Sequence, residues 1–227
     1  MGPLILNIDT SLEVAIISIS RGDNLLETVL GKEQKKHAAL VHDSIRAMLQ
    51  KHDLKITELN AVSVTAGPGS YTGLRVGLAA AKGLCYALKI PLIHIPTLEL
   101  MVMNAVSFLN KVYDIYCPMI DARRLDVFAG LYNADGNIIS QPLAMSLSSH
   151  TFERELSNNK IIFFGDGALK FQGLSQSSNA NFEMITLQPI TMALFAHKSY
   201  TLKKFANVMT VAPLYLKEFT SSVKVAN

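Results

Sequence analysis

Three groups of residues in this chain have the types and spacing to do chemistry. The first is Gly67-Pro68-Gly69-Ser70, between a β-branched run and a long helical stretch. Such a junction points backbone N–H groups and a helix N-terminus at one spot, which suits a phosphate. A P-loop would end in Gly-Lys-Ser/Thr, where Thr72-Gly73-Leu74 stands, and Gly67, Gly69 and Gly73 are one residue too widely spaced for a dinucleotide fingerprint. The second group is Asp9-Thr10-Ser11 with Asp121, carboxylates at the ends of two expected strands. Facing each other across a cleft they could hold a metal–nucleotide complex, with Asp9, Thr10 and Ser11 as the nucleotide contacts. With no lysine or second acid nearby in sequence, each aspartate more simply closes its own turn through an Asx hydrogen bond. The third group is the histidines. His37 and His42 lie five apart on an expected helix, about 140° around its axis, so they do not share the face that a zinc pair needs. Nucleophiles fare no better: Ser70 lies in Gly-Pro-Gly-Ser-Tyr, not Gly-x-Ser-x-Gly, and Cys85 is interior to an apolar helix.

The elements that must position these groups read clearly. Ala61–Thr65 is a buried strand, and the helix after the glycine loop runs to Leu88, capped by Ser70 or Thr72. On that helix Gly73, Gly77 and Ala81 recur every four residues, beside Val76 and Ala80. Interior glycine costs about 1 kcal/mol against alanine, so the stripe asks for close approach of another backbone. Before it, Leu4–Asp9, Glu13–Ser20 and Leu25–Leu30 are strands joined by tight turns. Lys35–His52 is an amphipathic helix with Ala38, Val41, Ile45 and Met48 in one stripe. After it come a strand at Leu92–Ile95 and a helix from Thr97, its expected cap, to Phe108.

Then the pattern restarts. Ile115–Asp121, Leu125–Tyr132 and Asn137–Ser140 repeat strand, turn, strand, hairpin and strand, so that Ile8-Asp9-Thr10-Ser11 falls on Ile120-Asp121-Ala122-Arg123. The repeat implies two similar α/β halves. The second half continues with a helix near Phe152–Leu156, strands at Ile161–Phe164 and Glu183–Leu187, and a last helix at Thr191–Phe205.

Composition narrows the class further. Apolar residues make up 49% and charged ones 17%, which is globular and not disordered. A net charge of +3 is too small to imply nucleic-acid binding by itself. No apolar run reaches the length of a membrane span. The opening reads as a first strand, not a signal peptide, and two cysteines with no export signal fit reduced thiols in the cytoplasm.

The segment Ala66–Gly77, AGPGSYTGLRVG, with Asp9-Thr10-Ser11 upstream and Asp121-Ala122-Arg123-Arg124 downstream, resembles the TsaB (YeaZ) family. The resemblance runs from residue 1 to about 140 and returns in Pro213-Leu214-Tyr215-Leu216. It implies an actin-like (ribonuclease H-like) ATPase fold of two α/β subdomains, here residues 1–108 and 109–227. It further implies a non-catalytic partner in making threonylcarbamoyladenosine, the modified adenosine beside the anticodon of tRNA. The partners implied are a metal-carrying TsaD-like paralogue and a TsaE-like ATPase, with a homodimer when the chain is alone and tRNA met only through the complex. No cofactor is required of this chain, and ATP or ADP would lodge at the partner interface. The paired histidines of the catalytic paralogue are absent at the first long helix. His37 and Leu40 resemble that family's helix start, with Val41-His42 in place of Leu-Pro. The partner interface is therefore expected on Ala38, Val41, Ile45, Met48, Gly73, Val76, Gly77, Ala80 and Ala81. The competing class is an enzyme of the same fold, a glycoprotease-like metallopeptidase or an ATP-dependent enzyme.

Overall fold

Leu4–Asp9 forms strand β1, buried along its whole length, in the computed structural model, which describes residues 2–31 and 37–217. On one side β1 pairs antiparallel with β2 (Ala15–Arg21), which pairs antiparallel with β3 (Asn24–Gly31). On the other it pairs parallel with β4 (Ala61–Thr65), followed by β5 (Leu92–Ile95). The sheet order is β3-β2-β1-β4-β5. Buried on both faces, β1 and β4 carry mainly apolar residues with no alternation.

Helices α1 (His37–Lys51) and α2 (Tyr71–Leu88) cover one face of this sheet. Val41, Ile45 and Met48 of α1 and Leu78, Ala81 and Cys85 of α2 share a core there with Leu6, Ile8, Ile17 and Val64. Lys35 and Lys36, expected to open α1, lie outside the described residues.

The second lobe repeats the first. Strands β6 (Ile115–Asp121), β7 (Asp126–Tyr132), β8 (Ile138–Ser146), β9 (Ile161–Phe164) and β10 (Ala180–Glu183) run in the order β10-β9-β6-β7-β8. Read from the β8 edge this is the order of the first sheet, with β6–β7 antiparallel and β6–β9 parallel as in β1–β2 and β1–β4. The duplicated topology gives the two α/β subdomains that the resemblance implies. Pro142 is tolerated within β8 because that strand lies at the sheet edge.

The strands β1–β5 form one sheet and β6–β10 the other, but the helices cross over. Helix α3 (Thr97–Phe108) is apolar nearly all round, and it buries Leu98, Met101, Val102 and Ala105 against Tyr116, Ile120 and Phe164 of the second lobe. Its Leu100 faces the other way, joining Ile5, Ile93 and Ile95. In return α6 (Pro189–Thr201) packs back on the first sheet through Met192 and Ala196. Short helices α4 (Glu153–Leu156) and α5 (Ala168–Gln172) cover the outer face of the second sheet.

Some local expectations fail for identifiable reasons. The strand expected at Glu183–Leu187 forms earlier, at Ala180–Glu183, where it can pair in parallel with Ile161–Phe164. The last helix starts at Pro189, a residue preorganised for a first turn, and stops at Thr201. Thr97 does not cap α3: Pro96 occupies that position, and the buried Thr97 hydroxyl has no hydrogen-bond partner among the described residues.

Candidate functional site

The glycine loop and Asp9 meet at the C-terminal ends of β1 and β4. Asp9 Oδ1 accepts hydrogen bonds from Ser11 N (2.9 Å), Ser11 Oγ (2.6 Å) and Thr65 Oγ1 (2.7 Å). Thr10 Oγ1 donates to the Gly73 carbonyl at 2.7 Å, and the Ser70 amide donates to the Ser11 carbonyl at 2.7 Å. All three of Asp9, Thr10 and Ser11 are buried. The residues expected to contact a nucleotide are thus brought together, and these hydrogen bonds hold the β1–β2 turn against α2. The turn-closing alternative is the one the geometry supports.

The same packing explains the small-residue stripe and corrects its assignment. A Cβ on Gly73 would collide with the Thr10 carbonyl oxygen, and one on Gly77 with Thr10 Oγ1. A Cβ on Gly69, likewise, would meet the Ser11 carbonyl. The backbone that these glycines admit is the chain's own β1–β2 turn, not that of a second chain. Gly73, Gly77 and Ala81, with Val41, Ile45 and Met48, are interior residues of one lobe and cannot form a partner interface. The side chain of Ala38 lies outside the described residues. Val76 and Ala80 are half-buried, and the outward face of α2 is completed by Thr72, Arg75, Ala79, Gly83 and Tyr86. Ser70 caps α2 as expected, its Oγ accepting from Gly73 N at 3.3 Å.

Asp121 repeats the Asp9 turn, accepting from Arg123 N at 2.6 Å as Asp9 does from Ser11 N. Unlike Asp9 it is partly exposed, and it has charged neighbours that its local sequence does not reveal. Lys170 Nζ lies 2.8 Å from Asp121 Oδ1 and 3.1 Å from the Asp126 carbonyl, while Asp121 N donates to Asp166 Oδ1 at 2.9 Å. Burial would raise the Asp121 carboxyl, but the Lys170 ammonium and the Arg123 amide outweigh it and hold the group below its ordinary range. Asp166 goes the other way, raised first by burial and then by the charge of Asp121. The repeat contains the signal for this cluster, since Gly165-Asp166-Gly167 follows β9 as Gly67-Pro68-Gly69 follows β4.

Between the lobes lies a cleft of about 370 Å³, lined by Leu12, Val14, Leu30, Met101, Phe164 and Ile185 with Glu13 and Asp166 among the polar residues. Among the described residues that line it none is a lysine or arginine. Its described walls are mainly apolar, with the carboxylates of Glu13 and Asp166 and the polar side chains of Asn104, Thr186 and Gln188. Among the described residues no group of three or more His, Cys, Asp or Glu is placed to hold a metal ion, and no helix is long and apolar enough to cross a membrane.

The model of the family TsaD, tRNA N6-adenosine threonylcarbamoyltransferase, matches residues 31–218. The chain belongs to this family, in its TsaB (YeaZ) branch. The tRNA threonylcarbamoyladenosine biosynthesis protein TsaB of Bacillus subtilis is 32% identical over 137 residues, covering 60% of this chain and 58% of that protein. Its namesake in Haemophilus influenzae is 22% identical over 224 residues, 94% of this chain and 93% of the relative. A Pseudomonas aeruginosa crystal structure described as similar to peptidase YeaZ superposes with a TM-score of 0.81 at 18% identity, over 95% of this chain and all of that one. The chain's match spans less than two thirds of the length of the Bacillus relative. At 18% identity the crystal structure speaks for the fold alone.

Proposed function

We propose that this chain is the non-catalytic partner of a TsaD-type transferase that threonylcarbamoylates the adenosine beside the anticodon of tRNA. Membership of the family and the biosynthetic role in the names of its TsaB relatives support the pathway. The observation that carries the partner role is how the candidate chemical groups are used: Asp9, Thr10 and Ser11 are consumed in holding the first lobe together. What the chain offers instead is surface. On α2, Ala79 and Gly83 are exposed, Val76 and Ala80 half-buried, and Tyr86 is 73% exposed. Small side chains around one large aromatic suit a facing helix.

On this reading the TsaD-like paralogue docks on the outer face of α2, and a second copy of the chain takes that place when the paralogue is missing. A TsaE-like ATPase completes the set, tRNA is met only through the complex, and ATP or ADP belongs between the partners. The setting is the cytoplasm, where tRNA is modified. Co-purification from the native cell tests it: the TsaD-like paralogue should come down with the chain and be lost with Ala79→Arg. A paralogue retained by Ala79→Arg, or never recovered with the unaltered chain, would contradict the proposal.

A further inference from the structure

After α6 the described residues run across the first lobe and reach the second. Ala206 N donates to the Leu92 carbonyl at 2.8 Å, extending the β5 edge, and Val208 and Val211 pack on the α1–α2 core. Lys82 of α2 holds the Val211 carbonyl at 3.0 Å. The Leu214 amide then donates to the Ala66 carbonyl at 2.7 Å, and Leu214 lies so close over Gly67 that a Cβ there would fall 2.6 Å from its carbonyl oxygen. Tyr215 is gripped from α2: its ring centroid lies 5.1 Å from that of Tyr71, and its hydroxyl accepts from Arg75 Nε at 3.1 Å. The Arg75 guanidinium in turn sits 4.2 Å above the Tyr71 ring. Lys217 reaches the other lobe, its Nζ 2.5 Å from Asp126 Oδ2 at the start of β7.

The geometry points to residues 206–217 as a latch that fixes the angle between the lobes and ties that angle to the outer face of α2. The other crossings are α3, buried against the second lobe, and α6, which packs back on the first. The latch adds a noncovalent crossing that starts at the glycine loop and ends on β7. Its grip on the first lobe is extensive, whereas among the described residues its hold on the second is one partly exposed ion pair, so it releases at Lys217–Asp126. Arg75 and Tyr71 belong to the same helix as the exposed Ala79 and Tyr86, so whatever engages that face meets the latch. The latch itself does not depend on which partner docks there.

Spin labels at Gln50→Cys on α1 and Asn158→Cys after α4, both exposed positions, report the interlobe distance by pulsed dipolar spectroscopy, since Cys85 and Cys117 are buried. The full chain and a chain ending at Lys217 should share one narrow distance distribution. A chain ending at Ala212 should shift to longer, broader distances. In the full chain, Asp126→Asn and Lys217→Gln should each cause part of that shift, the double variant no more than either alone, and Arg75→Ala should act from the opposite end. If the Ala212 chain does not fold by circular dichroism, the full-length substitutions decide by themselves. Narrow, unshifted distances in Asp126→Asn and Lys217→Gln, or in a folded Ala212 chain, would overturn the latch. A narrow distance in Arg75→Ala would remove α2 from it.

Discussion

Replacing Gly77 with alanine should make the chain easier to unfold, while the same change at Gly83, on the same helix, should make it harder. In a helix interior the exchange gains about 1 kcal/mol by restricting the unfolded backbone. At Gly83 nothing lies within 4 Å of the new Cβ, so that gain stands, a stabilisation of about 0.5–1 kcal/mol. At Gly77 the Cβ would overlap Thr10 Oγ1, with Ile8 Cγ2 at 3.4 Å and Val64 Cγ2 at 3.5 Å in ordinary contact beside it. Relief requires turning the buried Thr10 hydroxyl away from the Gly73 carbonyl or lifting α2 off β1. Overpacking of this kind costs about 1–3 kcal/mol and a lost buried hydrogen bond about 1 kcal/mol more. Set against the propensity gain, Gly77→Ala should lose about 1–3 kcal/mol. Gly73→Ala should lose more, because the obstacle there is a backbone carbonyl that has no rotamer to change. Urea unfolding followed by circular dichroism gives the midpoints, with an unchanged slope confirming comparable end states. Gly77→Ala as stable as the parent, but altered in its monomer–dimer equilibrium by sedimentation, would mean that the stripe does face another chain.

Asn104 joins α3 to the segment entering α6, accepting from Gln188 N (2.9 Å) and Thr191 Oγ1 (2.8 Å) and donating to the Thr186 carbonyl (3.1 Å). Asn104→Ala should therefore cost about 2–3 kcal/mol in the same urea assay. Asp166 has its folded pKa raised, so its charge opposes folding: its contribution is fully present below the ordinary carboxylate pKa and is lost as pH rises through the folded value. Asp166→Asn, whose amide oxygen still accepts from Asp121 N, should be more stable than the parent at pH 7, with the difference vanishing at about pH 3. Burial pushes the Cys85 thiol up to about 11, so at pH 8 only about one part in a thousand is thiolate. Native protein should accordingly resist alkylation there until denaturant is added, and reaction of Cys85 at the rate of a free thiol would refute its burial.

What the sequence disclosed best was repetition. Asp9 and Asp121 were legible as equivalent because each ends a strand before a tight turn, and both close that turn by accepting the amide two residues on. The Gly73–Gly77 stripe was legible as a demand for close approach, but helical spacing names only a face, not what lies against it. The partner is Thr10, more than sixty residues earlier and reached only because β1 pairs with β4. Val41, Ile45 and Met48 show the same limit, since an apolar stripe facing its own sheet reads like one facing a partner. Lys170 and Asp166 come to Asp121 across intervals of 49 and 45 residues, through the pairing of β6 with β9. Nothing near Asp121 in sequence signals that. The crossing of α3 and α6 between lobes was hidden for a related reason: a helix apolar on most sides fits either sheet.

The measurement that bears most directly on a binding role without bond chemistry is reconstituted tRNA modification. The mixture holds the TsaD-type transferase, the TsaE-type ATPase, the enzyme that makes threonylcarbamoyl-adenylate, ATP, threonine, bicarbonate and unmodified tRNA, with product scored by nucleoside mass. Asp121→Asn removes the most accessible charge of the candidate cluster, and its loss should lower product less than about tenfold, near 1.4 kcal/mol, where a general acid or base typically costs 10²–10⁴. Ala79→Arg, on the outer face of α2, should abolish modification together with co-elution of the transferase on a sizing column. An Asp121→Asn chain that still co-elutes with the transferase but yields no modified nucleoside would contradict the binding role and assign bond chemistry to this subunit.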